Sequence, residues 1–222
     1  MLAKEVKSLL YKEFLLELRQ KHAINGILLY TLSTIFICYL SFDIKNTGIS
    51  HLTWNALFWI IMLFSATSAV AKSFVQENQN RMLYYYTLVS PQGVILSKII
   101  YNLFLIWFLS LVAIILFSLV LGNPVEDFGL FAFNLLLGSL GLSTTLTMVS
   151  AIASKASNNG ILMAILSFPI MIPIILLVIK LSKNAIDGIA RSESIDEVMT
   201  LCGINLIVGT LAFMLFPYLW RS

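Results

Sequence analysis

The residues best suited to chemistry in this chain lie in one polar stretch, residues 72–98, between two long apolar segments. Within it, Glu77 and Arg81 stand four residues apart, the spacing at which opposite charges pair on one helix face. No glycine or proline interrupts residues 76–86, so this part predicts a helix of about three turns. A solvated turn with an interfacial tyrosine cluster at residues 84–86 is the alternative. The ion-pair spacing favours a rigid docking helix.

The stretch ends in a helix-start signal. Ser90 suits an N-cap and Pro91 the first helical position, where its missing N–H costs nothing. We therefore expect the next spanning helix to begin at Ser90-Pro91, well before its apolar part. The polar stretch then reads as a short helix held between two membrane helices.

Catalytic and metal motifs are missing from the sequence. It contains no Gly-x-Ser-x-Gly, no His-Glu-x-x-His and no Gly-x-x-x-x-Gly-Lys phosphate loop. The two cysteines, Cys38 and Cys202, are isolated and favour small buried hydrophobes over a metal or redox site. We predict no catalytic residue, no bound cofactor, no metal and no ATP hydrolysis by a phosphate loop.

The elements that position the polar stretch are membrane helices. The chain has 222 residues, of which 59% are hydrophobic and 11% charged, against about 25% charged in soluble domains. A bilayer core requires about 20 apolar residues per helix. Runs of this length lie near residues 24–42, 53–71, 99–121, 128–153, 160–179 and 199–220.

These runs predict an all-α polytopic membrane protein with one domain over residues 1–222. Six transmembrane helices follow an N-terminal amphipathic interfacial helix, residues 1–22. None of the runs carries a charged residue or histidine at its centre, which disfavours an ion-coupled transporter. The functional classes that remain are a membrane scaffold and a permease driven by a separate motor.

The basic residues predict the orientation. With the N-terminus inside, the inner loops hold most of the 14 Lys and Arg residues, and only Lys45, Lys180, Lys183 and Arg191 fall outside. The positive-inside rule then places both termini in the cytoplasm. No basic cluster stands apart from the membrane flanks, so we predict no nucleic-acid partner.

Two carboxylates, Glu13 and Glu17, project from the apolar face of the N-terminal helix and avoid lipid. One interpretation pairs them with Arg19, Lys21 or a basic residue of the polar stretch. The other has Glu13, Glu17 and Arg19 facing a soluble partner protein.

Small residues and prolines mark two later spans. In the fourth span, Gly138 and Gly141 permit close helix packing, which we favour over a role in a substrate path. In the fifth, Pro169 and Pro173 remove backbone donors on one face and predict a kink or break. This span is the candidate moving element, with the two prolines as its hinge.

Two further expectations concern the outer side. Trp54 and Trp59 lie near the outer end of the second span and suggest an aromatic belt at the lipid interface. Ile186, Ile189 and Ala190 suggest a short helix on the outer surface, within the charged segment before the sixth span.

The order of these features resembles the permeases of ABC-2 type exporters, and more narrowly the B subunit family of the cytochrome c maturation system, the haem exporter permease. The resemblance covers essentially the whole chain. Its residues are Lys12, Glu13, Glu17 and Arg19, then Phe74, Glu77 and Lys98, then Gly138-x-x-Gly141, Lys155, Pro169-x-x-x-Pro173 and the segment from Pro217 to Arg221.

The resemblance implies partners and a substrate. A separate ATP-binding ABC subunit would dock under residues 72–98, and a second copy of this chain would complete the transporter. The residues expected to couple to that ATPase are Phe74, Glu77, Arg81, Ser90, Pro91 and Lys98. A haem-handling membrane protein of cytochrome c maturation would be an associate, haem a possible substrate, and the bacterial inner membrane the location.

Alternatives to a haem export permease are an ABC-2 permease for a lipid or glycan and a non-transporting scaffold of the cytochrome biogenesis machinery. All three share the expected fold.

Overall fold

The computed structural model describes residues 2–19, 21–43, 49–71, 89–155 and 159–221. Seven α-helices lie in these ranges. They are α1 (Leu2–Arg19), α2 (Lys21–Asp43), α3 (His51–Val70), α4 (Pro91–Leu121), α5 (Phe128–Ala153), α6 (Asn159–Ile186) and α7 (Ile195–Arg221), with a 3₁₀ turn at Arg191–Ser194 before α7. The predicted helix at residues 76–86 lies outside the described residues. The predicted coupling residues Phe74, Glu77 and Arg81 lie outside them as well.

The all-α membrane fold is confirmed. Six helices, α2 to α7, are long and apolar enough to cross a bilayer. They alternate in direction, so one end of the bundle carries Lys98 and the other carries Asp127. We call these the Lys98 end and the Asp127 end.

The expected surface helix before the last span is wrong. The helix of the fifth span continues through Lys180 and Lys183 to Ile186. Gly188 then turns the chain with φ +64°, a left-handed conformation in which most other residues would be strained. Ile189 and Ala190 follow as an irregular link to the 3₁₀ turn.

Helix α5 forms the centre of the bundle. It packs against α3, α4, α6 and α7, and its small polar side chains from Ser139 to Ser150 are buried. Helices α2 and α7 lie at the periphery, where most of their surface is exposed and apolar. The span rich in small polar side chains therefore lies inside, and the exposed apolar surfaces of α2 and α7 face the lipid.

The two tryptophans of α3 are buried, so the expected aromatic belt is wrong for them. Trp54 and Trp59 are 2% and 1% exposed. The Trp54 indole donates to the Gly122 carbonyl at 3.1 Å, and the Trp59 indole donates to Ser182 Oγ at 2.7 Å. Each has its polar atom satisfied by a neighbouring segment, which lets it fill the core.

Neutral amides join the helices, and sequence reasoning missed them because it searched the spans for charged groups. Asn55 of α3 donates to the Ile179 carbonyl, and Asn134 of α5 donates to the Val178 carbonyl, each at 2.8 Å. Asn205 of α7 donates to the Leu137 carbonyl at 3.0 Å. A search for single asparagines within apolar runs would have found them.

Gly138 and Gly141 lie at tight contacts of α5. A Cβ at Gly138 would stand 2.7 Å from the Trp59 ring, and one at Gly141 would stand 2.6 Å from the Asn205 amide oxygen. Both positions therefore leave no room for a side chain without a shift of neighbouring atoms. The packing role predicted for these glycines leads to a direct test.

Gly138→Ala should destabilise the protein by about 1–3 kcal/mol, because the methyl group overpacks α5 against Trp59. Thermal unfolding in detergent measures the change. Gly203→Ala on α7 is the control, since nothing lies within 4 Å of its added Cβ. Equal stability of the two variants would contradict the packing role.

Candidate functional site

The start of α4 is built as the sequence predicted. Ser90 is the N-cap and its hydroxyl accepts from the Gly93 amide at 3.2 Å, with Pro91 next in the helix. The Ser90 amide, which the helix itself does not use, donates to a carboxylate oxygen of Glu5 on α1. This contact fixes the N-terminus of α1 beside the beginning of α4.

Lys98 is a buried cation about two helix turns further along α4. Lys98 is 1% exposed, and its ammonium lies 3.4 Å from the Glu13 carboxylate of α1. Lys12 contributes a second cation 3.2 Å from the same carboxylate. Of the two interpretations of Glu13, the structure places it with a basic residue of the polar stretch.

Helix α1 runs parallel to α4 in a constant register. Glu5 meets Ser90 and Glu13 meets Lys98, both with a separation of 85 residues. Beyond these, Phe14 packs edge-on against Tyr101 with ring centroids 5.4 Å apart, and Glu17 interacts electrostatically with the Tyr101 hydroxyl. Successive turns of α1 thus contact successive turns of α4. We call this contact the α1–α4 junction.

An apolar layer at the Lys98 end joins the junction to the bundle. Its members are buried and come from four helices. They are Leu9 of α1, Val94, Ile95 and Ile99 of α4, Ala151 of α5, and Ala212, Phe216 and Trp220 of α7. The end of the last span, which the resemblance singled out, therefore packs at the same place as α1 and the start of α4.

The remaining predicted residues are distributed as follows. Lys98, Ser90, Pro91 and Glu13 come together at the α1–α4 junction. Glu17 lies there beside Tyr101, while the side chain of Arg19 is outside the described residues. Gly138 and Gly141 lie within the bundle, away from the junction.

Helix α6 continues through both prolines. Pro169 and Pro173 are exposed within an uninterrupted helix, so no break occurs. The side chains of α3 and α5 that hydrogen-bond to α6 reach it at Val178, Ile179 and Ser182, all beyond the prolines. The hinge stays a prediction, and the half of α6 at the Asp127 end is the anchored half.

A polar clasp closes the Asp127 end. The Asp127 carboxylate accepts two hydrogen bonds from Arg191, at 2.6 and 2.8 Å, and caps α5 through the Leu130 amide at 3.0 Å. Its own amide donates to the Ala185 carbonyl at 2.9 Å. Lys180 of α6 pairs with Glu197 of α7 at 2.7 Å. The clasp links the turn before α5 to the connection between α6 and α7.

The electrostatics of the clasp follow from its hydrogen bonds. The Arg191 guanidinium, and next the Leu130 amide, hold the pKa of Asp127 well below its usual range. Because both groups favour the ionised carboxylate, Asp127 stays charged even at pH values at which an ordinary aspartate begins to take up a proton.

A metal or catalytic constellation is not found among the described residues. No group of three or more His, Cys, Asp or Glu side chains there could hold a metal ion. Cys38 and Cys202 are free and half-buried, and both pack against the main apolar core.

The comparison with protein families agrees with this architecture. The family model described as CcmB protein matches residues 4–218. The chain belongs to the CcmB protein family. CcmB proteins are the B subunit, the haem exporter permease, of cytochrome c maturation. None of the curated proteins matches the chain.

This CcmB-family chain is therefore a multi-pass membrane permease subunit of haem transport in cytochrome c biogenesis. The resemblance read from the sequence is confirmed over almost the full length, which includes the α1–α4 junction and the clasp.

Glu13→Gln should destabilise the protein by about 1.5–3 kcal/mol, because it removes a charged partner of buried Lys98. The double variant Glu13→Gln with Lys98→Met should recover part of this loss, since no buried ammonium then remains. Thermal unfolding in detergent measures both. Lys155→Gln, which replaces an exposed lysine at the same end of the bundle, serves as the control. A single variant as stable as the control would mean that Glu13 does not compensate Lys98.

Asp127→Asn should lower the thermal midpoint at neutral pH, because Asn can still cap α5 but carries no charge for Arg191. A carboxyl whose folded pKa is depressed stabilises the protein above its unfolded pKa of about 3.9 and loses that contribution as pH falls further. The difference between wild type and variant should therefore be constant from neutral pH to about 5 and shrink below about 4. A difference that is already lost at pH 6 would show that the ion pair does not control it.

Proposed function

We propose that this chain is the membrane subunit of an ABC transporter in which a separate ATP-binding subunit acts through residues 72–98. The transporter exports haem or delivers it to a haem-handling membrane protein. Two copies of this chain and two of the ATPase form the complex, in the bacterial inner membrane with both termini cytoplasmic. The Lys98 end is then the cytoplasmic end.

The contact between buried Lys98 and Glu13 carries this proposal. Residues 72–98 end on the first turns of α4, and α1 is attached to those same turns at Ser90 and Lys98. A displacement of the polar stretch therefore acts on α1 and α4 together. A buried ion pair suits this role because separating its partners is costly, so α1 and α4 tend to stay together.

The path into the membrane follows from the packing. Asn102 of α4 donates to Thr147 of α5 at 2.8 Å, and Ser143 of α5 donates to the Ile99 carbonyl at 2.7 Å. Motion of α4 thus reaches the central helix directly. The half of α6 before Pro169 receives no such hydrogen bond within the described ranges, so it is the part that we expect to move against the rest.

Histidine is one residue type that could ligate haem in such a chain. Within the described residues, His51 is the histidine whose side chain is described, and it lies exposed at the start of α3. We assign the chain a mechanical role towards haem because the described contacts couple α1, α4 and α5. Haem is then the substrate or the cargo of the haem-handling partner.

Replacing Glu77 and Arg81 together by Gln should detach or uncouple the ATPase, since these residues form the proposed docking helix. The measurement is co-purification of the ATP-binding subunit and stimulation of its ATP hydrolysis by the membrane subunit. Lys183→Gln, at the opposite end, is the control and should leave both unchanged. Full stimulation in the double variant would contradict the proposed docking helix.

A catalytically dead ATPase separates transport from scaffolding. The proposal predicts that c-type cytochromes then fail to receive haem although the membrane complex still assembles. Normal haem attachment with the dead ATPase would favour a non-transporting scaffold. Loss of a lipid or glycan product, with normal cytochromes, would favour the third alternative.

A further inference from the structure

The face of α1 that points away from α4 has its own chemistry. The carboxylates Glu5, Glu13 and Glu17 all lie on the side towards α4. The opposite side is exposed and presents Lys4, Lys7 and Tyr11, followed by Leu15. Phe14 lies at the edge of this side, where it is partly exposed and also contacts Tyr101 of α4. These residues recur at intervals of three and four, so they form one stripe along the helix.

The stripe changes from cationic to apolar along its length. Lys4 and Lys7 are exposed and form no ion pair with the described residues. Tyr11 is 68% exposed, and Phe14 and Leu15 are 44% and 37% exposed. A soluble helix would rarely leave three large apolar side chains in water on one face.

The register with α4 sets the depth of each residue. The apolar run of α4 begins at Ile99, directly after Lys98, so Glu13 lies at the level where the hydrocarbon starts. At a rise of 1.5 Å per residue, Tyr11 lies about 3 Å and Lys7 about 9 Å outside that level. The headgroup region is about 5–7 Å deep on each side. Lys4 lies about 13 Å outside the start of the hydrocarbon, and its extended side chain points back towards the headgroups.

Each residue of the stripe thus matches its layer. Phe14 and Leu15 lie at the edge of the acyl chains, Tyr11 occupies the interfacial layer that tyrosine prefers, and Lys7 and Lys4 face phosphate groups. We propose that this stripe is a binding surface for the headgroup of an anionic phospholipid, which contacts Lys4, Lys7 and Tyr11.

Charge decides the occupant. The exposed side chains that can reach the headgroups are two cations and a phenol, and the acidic residues of α1 are turned away to α4. A zwitterionic headgroup gains little from this arrangement, whereas a net negative headgroup gains about fivefold in affinity for each lysine near the surface. The proposal does not depend on the identity of the ATPase or of the transported substrate.

The test uses the full-length chain in detergent, with phosphatidylglycerol or phosphatidylcholine added as the probe. Native mass spectrometry counts bound lipids, and thermal unfolding reports stabilisation. Wild type should bind phosphatidylglycerol in preference to phosphatidylcholine. Lys7→Gln should weaken that binding about fivefold, and Lys4→Gln with Lys7→Gln about thirtyfold.

Two controls keep the result specific. Lys155→Gln removes an exposed lysine at the same end of the bundle and should leave the preference unchanged. Lys4→Arg with Lys7→Arg keeps both charges and should retain it. An unchanged preference in the double Gln variant, or equal binding of the two lipids by wild type, would overturn the proposal. Loss of the preference in Lys155→Gln to the same extent would also overturn it, since any lysine would then suffice.

Discussion

The burial of Lys98 against Glu13 is the interaction on which the Lys98 end of the molecule depends. A lysine with 1% exposure at the edge of the hydrocarbon requires a carboxylate, because an ammonium without a partner is costly to bury. That carboxylate comes from α1, so α1 must lie lengthwise on α4. The constant register, the capping contact of Glu5 with Ser90 and the outward position of Lys4, Lys7 and Tyr11 all follow from this requirement.

Deeper in the bundle, neutral groups replace charges. The asparagines of α3, α5 and α7 donate to backbone carbonyls of neighbouring helices, and the tryptophans of α3 satisfy their indoles in the same way. Each contact fixes two helices without burying a charge in the hydrocarbon. The hydrogen bonds that reach α6 from α3 and α5 do so beyond Pro173. The half of α6 before Pro169 is held by apolar packing, which permits sliding and repacking more readily than directional bonds do.

Much of this fold could be predicted from the sequence because the bilayer sets the length of each apolar run. The fourth span is observed as predicted, and the start of α4 follows from Ser90-Pro91, whose capping chemistry is local. The burial of Trp54 and Trp59 could not be predicted from local sequence in this way. Trp54 and Trp59 have interfacial spacing, but the carbonyl of Gly122 and the hydroxyl of Ser182 that accept from them come from distant parts of the chain.

The candidate site also combines features that local sequence predicts with contacts that it does not predict. The sequence identified Glu13 as a carboxylate that needs a partner and left two choices open, because a helical pattern gives the face of a residue but not its neighbour. The parallel register with α4 supplies the neighbour. Likewise, α6 extends to Ile186, and its Lys180 pairs with Glu197 of α7, a contact between segments that local propensity does not predict.

The coupling proposed for this protein requires α1 and the start of α4 to move as one body when ATP is used. Spin-label distances in the assembled transporter test it directly, between Tyr11 and Gln92 and between Gln92 and Ile161, without nucleotide and in an ATP-trapped state. We expect the distance from Tyr11 to Gln92 to stay unchanged while the distance from Gln92 to Ile161 shifts. A change between Tyr11 and Gln92, or no change in either pair, would contradict it.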